Sequence, residues 1–91
     1  MMRMHSIAKT IMDGLKDAEM QYRWAEAAHE ANEPELAKMH ISEAMKRLAG
    51  IKEWCGYAES KAEHNDLIRD MVEYWREWHN KLLDKATALK V

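Results

Sequence analysis

The sequence has little of what interrupts a chain: one proline and three glycines in 91 residues. Few turns are available, so the structural elements must be long. Phenylalanine is absent, and threonine and valine occur twice each, which leaves little material for strands. Alanine, methionine, leucine, glutamate and lysine dominate instead, and these favour helix. The single cysteine, Cys55, excludes an intrachain disulfide, so nothing points to an oxidising compartment. No apolar run approaches the ~18 residues that a membrane-spanning helix requires. The opening Met1-Met2-Arg3-Met4-His5-Ser6 lacks the apolar region of a signal peptide, and cytoplasmic localisation is the resulting expectation. Charge of neither sign prevails: 14 basic and 16 acidic residues give a net −2 and are interspersed. There is no basic stripe for nucleic acid or an anionic membrane. With no Pro/Gly/Ser-rich linker, residues 1–91 read as a single helical-bundle domain.

What the chain does have is hydrophobic periodicity. Met4, Ala8, Ile11, Leu15, Ala18, Tyr22 and Ala25 alternate steps of four and three, and the next step falls on His29. This is the 3.5-residue period of packed helices. Gly14 lies beside this seam, where a missing side chain admits a neighbour closely. Asn32-Glu33-Pro34 then makes a turn, because Asn caps helix ends and Pro suits the first helical turn. The second stripe runs Ala37, Ile41, Ala44, Leu48, Ile51, Cys55, Ala58 and Ala62. The third is Ile68, Met71, Trp75, Trp78, Leu82 and Leu89, with Ala86 near the missing step. Asn65-Asp66 supplies the best start signal for that helix and places a second turn around residues 63–66. The prediction is all-α: an up-down-up bundle of three long helices, about 4–31, 34–62 and 66–90, associating into a larger helical assembly. One continuous helix from Pro34 to the C-terminus is the competing reading, since no glycine or proline follows Gly56. Ion pairs on the solvent faces are expected for Glu19 with Arg23, Glu43 with Arg47 and Glu77 with Lys81.

No catalytic residue can be nominated. Cys55 occupies a core position, and neither a Ser/His/Asp set nor a glycine-rich phosphate loop is present. A metal site is the sharpest chemical candidate. Glu26-Ala-Ala-His29 and His40-Ile-Ser-Glu43 each put a carboxylate and an imidazole on one helix face, and a hairpin at Pro34 brings the two faces to similar levels. Two carboxylates and two imidazoles suit a divalent transition metal. The same four residues also describe an exposed, charged bundle end, in which case no cofactor is bound. His29 is the one titratable group expected on the first seam, where a polar residue sets register or meets water.

Large aromatic side chains carry the other candidate. Tyr74, Trp75 and Trp78 broaden the third stripe beyond what a core of this size needs, and Trp24 lies off the first seam. Surplus apolar surface of this kind marks a contact with a second subunit or another protein. Trp24, Tyr74, Trp75 and Trp78 are therefore the expected interface residues. The function that fits is a small helical-bundle protein acting by self-association or by binding another protein. The alternatives are metal binding at the Glu/His cluster and carriage of an apolar ligand by the eight methionines and four tryptophans.

The stretch Tyr22-Arg-Trp-Ala25-Glu-Ala-Ala28-His-Glu-Ala31-Asn-Glu-Pro34-Glu-Leu36-Ala-Lys38 resembles the first helix hairpin of rubrerythrin and other ferritin-like proteins. The resemblance covers about a fifth of the chain and implies a hairpin. The Glu-x-x-His expected about four turns into the second helix is replaced by Arg47-Leu-Ala-Gly50, and the third segment has none. No di-iron ligand is carried over.

Overall fold

A computed structural model describes residues 3–90; Met1, Met2 and Val91, the ends of the expected single domain and the first two residues of the signal-peptide reading, lie outside the described residues. Within it α1 spans Met4–Glu30, α2 Pro34–Ala62 and α3 Asp66–Ala88, with no strands among the described residues. The three expected helices are present, each boundary within two residues. The molecule measures 49 × 21 × 14 Å, so all three lie side by side along its length. Among the described residues no helix is long and apolar enough to cross a membrane.

The first turn is closed by backbone geometry. Asn32 adopts a left-handed φ of 61°, which Asn tolerates better than most residues. Glu33 N–H then donates to Ala28 O at 2.9 Å and Asn32 N–H to His29 O at 3.2 Å, the paired bonds of a Schellman motif. Pro34 follows as the first residue of α2, where its missing N–H leaves nothing unsatisfied. The second turn excludes the continuous helix. Glu63 has φ 44°, Asn65 N–H bonds back to Ala62 O, and Asn65 Oδ1 accepts from Ile68 N at 3.2 Å, starting α3.

α1 and α2 form the tightest pair, and α3 leans on α2 more than on α1. Small residues permit the close approach. Ala18, Ala25, Ala28, Ala37, Ala44 and Ala58 are buried, and a Cβ placed on Gly14 would come within 3.1 Å of Ile51 Cγ1. Ile7, Ile11, Leu15, Leu48, Ile51, Val72, Trp75 and Leu82 fill the remaining core. Arg47 of α2 reaches across to Asp17 of α1 and also bonds Glu43 Oε2 at 2.7 Å.

The α1 seam sits one residue away from its expected phase at two points. Ile7 rather than Ala8 is fully buried, and Ala28 rather than His29 closes the stripe. His29 is exposed and sets no register. Of the expected surface ion pairs, Glu19–Arg23 (3.4 Å) and Glu43–Arg47 form, whereas Glu77 and Lys81 make no ion pair among the described residues.

Two glycines of the paired helices should respond oppositely to substitution. Gly14→Leu overfills the contact with Ile51 and is expected to cost about 1–3 kcal/mol in urea unfolding. Gly50 has no neighbour within 4 Å, so Gly50→Ala should gain about 1 kcal/mol from helix propensity alone.

Candidate functional site

The four residues of the expected metal cluster are engaged separately. Glu26 accepts the Tyr22 hydroxyl at 3.2 Å; burial, then the Glu26 charge, pushes that hydroxyl above the ordinary phenol range, so it remains a donor. His40 Nδ1 and Gln21 Oε1 are 2.7 Å apart, so the imidazole is hydrogen-bonded to the Gln21 side-chain amide. Its ring also lies against Trp24, with centroids 5.5 Å apart. Glu43 is held by Arg47 and by Lys46 at 3.6 Å. His29 is solvent-exposed. Among the described residues no three His, Cys, Asp or Glu side chains are placed to hold a metal ion. Equal helix levels are visible in the sequence, but the lateral direction of each side chain is not, and the two helices turn their carboxylates toward different partners.

α3 carries the most informative arrangement, because its core stripe differs from the expected one. The buried series is Val72, Trp75, His79, Leu82 and Ala86, with half-buried Ile68 before it and Leu89 after it. Every step is three or four residues, and no step is missing. Trp75 is only 2% exposed and its indole N–H donates to Met12 Sδ at 3.2 Å, so this tryptophan belongs to the chain's own core and not to an outer interface.

A stripe counted on apolar residues misses His79, yet His79 is only 7% exposed. Its Nε2 lies 2.9 Å from Leu48 O on α2. A carbonyl can only accept, so Nε2 bears the proton. Nδ1 is then the acceptor, and the Asn80 side-chain amide, whose Oδ1 position is 3.1 Å away, satisfies it when its NH₂ is turned inward. The Nε2 bond ties α3 to α2. The unbroken three-four alternation from Ile68 to Leu89 is the signal that could have found it.

His79 and Cys55 border one cavity of about 270 Å³ between α2 and α3. They do not form a nucleophile and base. The imidazole proton is committed to Leu48, and burial pushes the Cys55 thiol above its ordinary value, with Arg76 opposing and Glu59 assisting. The thiol therefore stays protonated and inert near neutral pH. A wider cleft of about 650 Å³ near the second turn has walls of both charge signs, with Glu59, Glu63 and Glu73 beside Arg69 and Arg76, and Arg76 pairs with Glu59.

Moving the α3 core onto Val72 and His79 frees a second stripe. Leu67, Met71, Tyr74 and Trp78 also follow a four-three-four alternation, on the adjoining face of the same helix. Leu67 is 69% and Tyr74 59% exposed, while Met71 and Trp78 are half-buried against the core edge. Tyr74 and Trp78 rings pack edge to face at 6.2 Å and, with Glu77 and Lys81, frame a shallow cleft of about 210 Å³. Trp24, 47% exposed, lies elsewhere: like Met20, Leu36 and Met39 it is an exposed apolar side chain on the helix ends near the α1–α2 turn. The expected interface residues thus divide into an α3 stripe, a separate exposed Trp24 and a core Trp75. Comparisons with protein-family models, curated proteins and solved structures give no match to this chain.

Cys55 supplies a test of the packed α2/α3 contact. Its reaction with a thiol reagent at pH 8 should be at least about a hundredfold slower in the native protein than in denaturant. Because the folded thiol value lies above the unfolded value of about 8.5, its share of stability is complete below that pH and lost as pH rises through the folded value. Cys55→Ala should remove this alkaline decline; equal native and denatured reactivity would contradict burial.

Proposed function

We propose that this chain works by helix-face association, as one subunit of a larger helical assembly, with α3 presenting the contact. One observation carries the reading: α3 has two parallel heptad stripes, and the fold buries only the first. The outer stripe puts a leucine, a methionine, a tyrosine and a tryptophan along one side of a single helix. A run of such residues at coiled-coil spacing, Leu67 and Tyr74 exposed and Met71 and Trp78 half-buried, is the form of a helix that packs against another helix. Tyr and Trp suit this role because they bury much apolar area at little conformational cost and tolerate water when unpaired. The α3 stripe is continuous over three turns, whereas Trp24 is one of several separate apolar side chains near a turn; α3 is therefore the primary contact.

Light scattering at several protein concentrations tests the proposal. The wild-type chain should run above its single-chain mass of 10.7 kDa, and Tyr74→Lys with Trp78→Lys should return it to that mass with helix content unchanged. A wild-type mass of 10.7 kDa at every concentration, or a double variant that still assembles, would contradict the proposal.

A further inference from the structure

Resting on the association proposed for α3, we infer that its partner is the α3 of a second copy of this chain, laid antiparallel across a two-fold axis near Trp78. Charge along the outer stripe carries the inference. Continuing the alternation beyond Trp78 gives Lys81, Lys85 and Ala88, so the stripe is apolar in its first half and basic in its second. Asp70 flanks the first half, Glu77 the junction beside Trp78, and Asp84 the second half. Asp70, Glu77, Lys81 and Lys85 make no ion pair among the described residues, although Glu77 and Lys81 stand at a spacing that ordinarily pairs. The face thus has Asp70 on its apolar half and Lys81 and Lys85 on its second half, and none of the three makes an ion pair among the described residues, although Lys85 borders a cleft with Glu19 and Glu26 of α1.

Orientation follows from this polarity. Two parallel copies in register set Asp70 against Asp70, Lys81 against Lys81 and Lys85 against Lys85, and like charges held together are repulsive. Reversing one copy about a point beside Trp78 sets Asp70 opposite Lys85, Tyr74 opposite Lys81 and Leu67 opposite Ala88. An acid meets a base, an ammonium meets an aromatic face, and an apolar end meets an apolar end. A two-fold interface is isologous, so each of these contacts occurs twice. The axis passes between Glu77 and Trp78, so Trp78 falls close to its own symmetry mate, where paired aromatic rings form the centre of the contact, and the two Glu77 carboxylates stand on its flank.

Charge exchange tests the orientation independently of association itself. Asp70→Lys alone sets a new ammonium group against Lys85 of the second copy, and Lys85→Asp alone sets two carboxylates together. Each single variant should weaken dimerisation about tenfold or more, read by sedimentation or dilution calorimetry. The double variant Asp70→Lys with Lys85→Asp restores both pairs in the antiparallel arrangement and should recover wild-type affinity. Both positions are exposed, and circular dichroism checks that the helices persist. A wild-type dimer whose affinity ignores the single variants, or a double variant as weak as the singles, overturns the antiparallel geometry while association through α3 stands. A wild-type chain that is monomeric throughout overturns both.

Discussion

The close approach of α1 and α2 is the constraint on which the rest of the structure depends. It exists because alanine and glycine occupy the facing positions: Gly14 sits against Ile51, and Ala18, Ala25, Ala28, Ala37 and Ala44 line the contact toward the turn. Each small residue gives up the apolar area that a leucine would bury, about 1–2 kcal/mol apiece, in exchange for backbone proximity and many short-range contacts. The Schellman turn at Asn32 fixes where the two helices meet, and Arg47, held by Glu43 of its own helix, links α2 to Asp17 of α1. Such a pair is too thin to be a core by itself. Its own large side chains, Ile7, Ile11, Leu15, Leu48 and Ile51, need further large side chains to cover them.

α3 provides them. Trp75 reaches Met12 on α1, His79 reaches the Leu48 carbonyl on α2, and Val72 and Leu82 close the space between. A buried histidine in an apolar seam has to find a partner, and the main-chain carbonyl of the neighbouring helix meets that need. With only two helices to lean on, α3 can hide one stripe of its surface. Its second stripe is then left facing outward by geometry: the bundle has no fourth helix among the described residues, and the side chains that would pack against one are already in place.

Sequence periodicity is enough for the helices and both turns. Asn32-Glu33-Pro34 and Asn65-Asp66 speak in local chemistry, and local chemistry is what a sequence states directly. It is less able to rank neighbouring positions on one helix. Ile7 against Ala8, Ala28 against His29, and His79 against Trp78 each differ by a single residue, about 100° of rotation, and each choice is made by a partner far along the chain. The bond from His79 to Leu48 spans 31 residues and that from Trp75 to Met12 spans 63. The Glu/His cluster fails for the same reason: levels along an axis can be counted, but His40 turns to Gln21 and Trp24, and Glu43 to Arg47. The surplus of aromatics is legible in number. Which of them are surplus is decided by where the α3 seam runs.

The central claim is that the outer face of α3 is covered in the working protein, and a chain in which Trp78 is the one remaining tryptophan reads it most directly. Trp24, Trp54 and Trp75 are replaced by phenylalanine, and the emission maximum of Trp78 is followed as the protein is diluted. The account predicts a blue-shifted maximum at high concentration that moves to the red on dilution, with helix content constant. A maximum independent of concentration, at the value of a water-exposed indole, would contradict it.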